Sequence, residues 1–107
     1  MRELQRMAKV DVQKEIRRAV DTGKVIFGTN EAEKSLKNGT ARLIIIAKNT
    51  PKLVREKLVA FAEAGKIPHH IFDGTGIELG NVCGMPFTVS AMIVENAGKS
   101  KVLDIAK

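Results

Sequence analysis

Cysteine is nearly absent: Cys83 is the only one in 107 residues. A single thiol forms no internal disulfide and builds no zinc site from several thiolates. A reducing compartment fits best, and Cys83 is read as a small buried apolar residue. Tryptophan and tyrosine are missing, and phenylalanine occurs four times. A sheet that holds single-stranded RNA by stacking needs two or three exposed aromatics on adjacent strands. Phe27, Phe61 and Phe72 fall in apolar segments and are expected in the core, so Phe87 is the one available ring. Apolar runs such as residues 43–47 are far too short to span a bilayer, and residues 1–9 carry Arg2, Glu3, Arg6 and Lys9 where a signal peptide would be apolar. The expectation is a cytoplasmic protein with no membrane partner.

Catalytic constellations are scarce as well. Gly74, Gly76 and Gly80 give G-x-G-x-x-x-G, one residue too long for the dinucleotide fingerprint, and no P-loop occurs. His69 and His70 are neighbours, and neighbours in a strand point to opposite faces, so they do not share one ion. The carboxylates are scattered among lysines, as on a solvated face. These absences predict no enzyme, no cofactor, no metal and no small-molecule substrate.

Positive charge is abundant. Lysine and arginine number 18 against 12 acidic residues, a net charge of +6, and the sequence pI is about 9.7. On one small domain, residues 1–107 with a polar extension at 1–9, that excess makes nucleic acid the leading partner class.

Helical and extended patterns alternate along the chain. Asp11 can cap a helix running to about Thr22, with Val12, Ile16, Ala19 and Val20 on one face and Gly23 as its left-handed stop. A short strand at 24–27 ends at Gly28, and a helix starting at Thr29 or Asn30 ends before Gly39. The branched run at 43–47 predicts a central strand covered on both faces. Thr50 and Pro51 suit the cap and first position of a helix whose apolar face is Val54, Leu58, Phe61 and Ala62, with Gly65 as its stop. A strand at 68–72 follows. Thr75 and Glu78 have capping-box spacing for a helix ending near Cys83 and Gly84. Residues 89–94 are the last strand, and 102–105 a weak terminal element. Alternation at this pace predicts an α/β fold, a three-layer α/β/α sandwich around a sheet of about four strands. Strand order and direction do not follow from the pattern.

Residues 28–34 combine the features an RNA contact needs. Gly28 allows close backbone approach, and the helix start at Thr29 presents free amides to a phosphate. Asn30 offers a donor and an acceptor, whereas Glu31 offers acceptors only and would read base amino or imino groups. Lys34, one turn on, reaches a base or a phosphate. The plain alternative is an ordinary helix start with Glu31 and Lys34 as an exposed ion pair. Lys24, Lys37, Arg42 and Lys48 are further candidates for the RNA backbone.

Four blocks carry a resemblance. Gly28-Thr29-Asn30-Glu31-Ala32-Glu33-Lys34, Leu43-Ile44-Ile45-Ile46-Ala47, Asn49-Thr50-Pro51 and Glu78-Leu79-Gly80-Asn81-Val82-Cys83-Gly84 resemble the kink-turn-binding superfamily of archaeal and eukaryotic RNA proteins. Within it, Asp21-Thr22-Gly23-Lys24, residues 43–51 and Gly84-Met85-Pro86-Phe87-Thr88-Val89 look most like the family of large-subunit ribosomal protein thirty. The resemblance spans about residues 10–105. It implies a mixed sheet, a kink-turn or kink-turn-like ribosomal RNA loop as ligand, other large-subunit ribosomal proteins as neighbours, and a structural role in the large ribosomal subunit. It also implies that Asn30, Glu31 and Lys34 meet the sheared G·A pairs and nearby backbone. Val82, Met85, Pro86 and Thr88 would belong to a loop against the flipped-out base, with Phe87 where some ribosomal members stack an aromatic. The Asn30–Glu31 pair is that of general kink-turn binders, where ribosomal members of the thirty type often carry a basic residue. A general kink-turn protein of guide-RNA or RNA-processing particles therefore stays open, and so does a small α/β enzyme or cofactor-binding domain.

Overall fold

The computed structural model describes residues 12–100. The Asp11 cap, the extension at 1–9 and the terminal element at 102–105 lie outside the described residues. The elements alternate in the expected order: α1 (Val12–Thr22), β1 (Lys24–Phe27), α2 (Thr29–Asn38), β2 (Leu43–Ala47), α3 (Lys52–Ala64), β3 (His69–Phe72), α4 (Gly76–Cys83) and β4 (Ala91–Asn96). They build a four-stranded mixed sheet in the order β1-β4-β2-β3. β2 and β3 are parallel, and β4 runs antiparallel to both β1 and β2.

Period-two alternation divides the core between two faces. Leu43, Ile45 and Ala47 of β2 join Met92 and Val94 of β4 on one face, beneath Ile16 and Ala19 of α1 and Leu79 and Cys83 of α4. Ile44 and Ile46 join Ala91 and Ile93 on the other, beneath Ala32 and Leu36 of α2 and Leu58 and Ala62 of α3. Every residue of β2 is buried, which is why its sequence is an unbroken apolar run rather than an alternating one.

Three local expectations need correction. Gly23 is not left-handed; the positive-φ glycines among the described residues are Gly28, Gly39, Gly84 and Gly98. Gly23 is instead required by close approach, because a Cβ there would overlap the Asn96 carbonyl oxygen. Thr50 does not cap α3. Its N-cap is Pro51, with no side-chain cap, and the buried Thr50 hydroxyl donates to the Ser90 carbonyl at 3.0 Å. The last strand starts at Ala91 rather than 89, since the Val89 N–H donates to Gly76 of α4 at 3.0 Å and does not join the ladder.

Candidate nucleic-acid interface

The C-terminal ends of β1, β2 and β3 and the N-terminal start of β4 meet at one end of the sheet. Gly28 stands there with φ 106° and ψ 149°, a region that residues with a Cβ rarely adopt. Its N–H donates to the Ala91 carbonyl at 2.9 Å, tying the start of α2 to the start of β4. Glycine is needed for this turn and not for space: a Cβ at Gly28 would meet nothing within 4 Å.

Among the described residues no side chain caps α2. Its ladder begins with Ala32 N–H to Gly28 C=O at 2.9 Å, so the amides of Thr29, Asn30 and Glu31 precede it and favour an anion. Asn30, Glu31 and Lys34 are exposed, and Thr29 is half-buried. Glu31 and Lys34 also form the ordinary pair, with Nζ 3.7 Å from Oε1. Such an exposed pair is worth about 0.3–0.5 kcal/mol, little enough for a ligand to displace. Glu33, by contrast, is engaged: Lys57 lies 2.6 Å away and Lys37 3.9 Å. The Lys57 hydrogen bond holds its carboxyl below the ordinary value.

The later loop approaches from the opposite face of the sheet. Gly84 ends α4 in the left-handed region. Val82 is therefore not a loop residue: it is helical, packs against the core with Met85, and is half-buried. Pro86, Phe87 and Thr88 are the exposed part. They lie close on α4, where a Cβ at Gly80 would overlap the Phe87 carbonyl and one at Gly76 would stand 2.7 Å from the Thr88 methyl. Phe87 keeps half its surface in solvent and meets Phe27 edge-on, ring centres 5.9 Å apart at 78°. Phe27, expected in the core, is thus only half-buried and supports Phe87 from the end of β1. With Ile77 and Asn81, residues 85–88 border a concavity of about 220 Å³.

Lys48, just past β2, is exposed at the same end, with Nζ 3.4 Å from Asp73. The other cations divide. Lys24 pairs in register with Asn96, and the Arg42 N–H bonds the Val94 carbonyl, which puts both at the far end of the sheet. Lys37, in the last turn of α2, is there too, lying over the Phe61 ring at 5.1 Å.

Two further residues shape this end of the sheet. The Arg17 guanidinium lies against Gly84, 2.6 Å from where a Cβ would stand. Asn49 precedes the Thr50–Pro51 helix start, and its Oδ1 accepts from Gly76 N–H at 3.0 Å and orients α4. Both depend on contacts across the chain that no local pattern signals. Cys83 is buried, with its thiol pushed up to about 11 by desolvation, as befits a packing residue.

Residues 10–104 match the ribosomal protein L7Ae/L30e/S12e/Gadd45 family. A large ribosomal subunit protein eL30 of Methanosphaera stadtmanae is 45% identical over 96 residues, covering 90% of this chain and 98% of the relative. The same-named protein of Methanocaldococcus jannaschii is 39% identical over 104 residues, covering 97% and 94%. A solved structure of a Bacillus halodurans protein of unknown function is similar in fold, with a TM-score of 0.77 at 19% identity over 92% of this chain and 97% of that one.

Proposed function

The chain belongs to the ribosomal protein L7Ae/L30e/S12e/Gadd45 family, and from that premise we propose that it is a structural, non-enzymatic constituent of the large ribosomal subunit that binds and stabilises a kink-turn or kink-turn-like loop of ribosomal RNA. Its place is then the cytoplasmic ribosome, beside other large-subunit proteins. The names of relatives at 39–45% identity support the ribosomal role.

One observation carries the RNA reading: an uncapped helix start at Gly28 and an exposed ring at Phe87 flank the same strand end. In this reading the amides of residues 29–31 hold a phosphate, while Asn30 donates and accepts and Glu31 accepts at base edges. Lys34 and Lys48 meet the backbone, and Pro86, Phe87 and Thr88 cover an unstacked base, with Val82 and Met85 beneath them. The protein binds bent RNA better than extended RNA and so shifts its population.

A gel-shift titration with a kink-turn loop and its duplex control, G·A pairs replaced by Watson–Crick pairs, tests this. Preference for the kink-turn by roughly a hundredfold is expected; equal affinity refutes it. A second reading, a general kink-turn protein of RNA-processing particles, is favoured by the Asn30–Glu31 pair. Absence from purified large subunits, with tight binding to several unrelated kink-turns, would establish it instead.

A further inference from the structure

β3 pairs with β2 on its inner edge, and among the described residues no strand lies beyond it. In a parallel ladder, alternate residues turn their backbone groups to the same neighbour. The carbonyls of Pro68 and Phe72 accept from Ile44 and Lys48, each at 3.1 Å, so the N–H and C=O of His69 and Ile71 face outward. The register with Ile44 and Ile46 sets the side chains of His69 and Ile71 on the α3 face. There, with Val59 and Ala60, they floor a groove of about 440 Å³ rimmed by Glu56 and Glu63. Ile71 is more than a third exposed.

Charge selects the occupant. In a chain of net charge +6, Glu56 and Glu63 stand two helical turns apart on one side of α3. Both are exposed, and neither has an ion-pair partner among the described residues. Arg55, the cation in the lining, donates to the Lys48 carbonyl at 3.2 Å. Two carboxylates against the Arg55 cation leave the lining net acidic, which disfavours an RNA backbone. A second copy docked about a twofold would set the same carboxylates against each other.

We propose that the outer edge of β3 and the α3 groove bind an extended, lysine- or arginine-bearing segment of a partner protein as an added strand. Its backbone pairs with His69 and Ile71, an apolar side chain enters the groove, and its cations meet Glu56 and Glu63. The strand order puts this edge three strands from β1, so the groove and the Gly28 end can be occupied together. The binding does not depend on what RNA the other end holds.

Amide NMR of the isotope-labelled full chain tests it. The probes are a short peptide of alternating lysine and valine, its glutamate–valine counterpart and a single-stranded oligouridylate. The lysine peptide is expected to shift the amides of Val59, His69 and Ile71 saturably, while the other two leave them unmoved. The double variant Glu56→Gln/Glu63→Gln, altering exposed carboxylates, should keep the fold and weaken the lysine peptide about three- to tenfold. Equal shifts from both peptides, shifts from the oligouridylate, unchanged affinity in the double variant, or no shift at these amides would overturn the proposal. Concentration-dependent shifts there without peptide would overturn it in favour of a second copy.

Discussion

A carboxylate beside phosphates costs Coulomb energy unless it accepts hydrogen bonds, and Glu31 is exposed at a helix start with Lys34 as its one partner among the described residues. Glu31→Gln keeps the shape and removes the charge. If the carboxylate reads bases, the variant binds a kink-turn about 1–3 kcal/mol more weakly in a calorimetric titration; tighter binding would mean that it faces backbone instead. Glu95 plays a different part. Its carboxylate accepts from Thr40 at 2.7 Å and Ser35 at 2.9 Å, with Lys24 at 3.3 Å. The Thr40 hydroxyl foremost, then Ser35 and Lys24, hold its carboxyl below the ordinary 4.5. A depressed folded-state pKa adds stability that is present above the unfolded value and lost as pH falls through the folded one. Thermal melts should therefore show Glu95→Gln less stable than the parent at about pH 6, with the gap closing by about pH 3. A gap that stays constant with pH would sink this account.

At the scale of elements, legibility followed how local each cause was. Thr75 and Glu78 form the expected capping box within four residues, the Thr75 hydroxyl taking the Glu78 N–H at 3.2 Å and Glu78 taking the Thr75 N–H at 3.1 Å. Thr50 has the same chemistry, but a carbonyl at Ser90 claims its hydroxyl. Gly39 and Gly84 stop their helices in the left-handed region as their positions suggest, whereas Gly23 answers to Asn96, far along the chain. The buried run of β2 was legible because burial on both faces leaves no room for polar alternation. The entry of α2 rests on Gly28. Gly28→Ala meets no steric neighbour, so its cost of about 1–3 kcal/mol comes from the backbone alone. Urea unfolding should show that loss, and RNA affinity should fall with it as the helix start re-aims. An unchanged midpoint and affinity would show that the turn is not needed.

For the whole molecule, net charge predicted a polyanion partner but not where its charges sit. Tertiary structure did that: the sheet sends Lys24 and Arg42 to the far end, the direction of α2 takes Lys37 there, and Lys34 and Lys48 are left at the candidate site, with Arg17 against Gly84. The Phe27–Phe87 contact likewise depends on β1 pairing with β4, which no local pattern encodes. The scarcity of aromatics pointed to Phe87 and the helix start to Asn30, and the resemblance gave them a ligand; tertiary structure set Arg17 against Gly84 and moved Val82 into a helix. With two to three cations at the site, log K should fall against log salt with a slope of roughly −2 to −3. Lys24→Ala and Arg42→Ala should leave that slope unchanged, and a drop by one for each would place RNA at the far end as well.

Selection of a bent RNA is what we propose for the Gly28–Phe87 end. Its most direct measurement is energy transfer between dyes on the two arms of a kink-turn duplex, titrated with protein at low magnesium. A saturable rise in transfer is expected as the arms close, with its midpoint moved to higher protein concentration in Glu31→Gln. Binding that leaves the transfer at its extended value would contradict it.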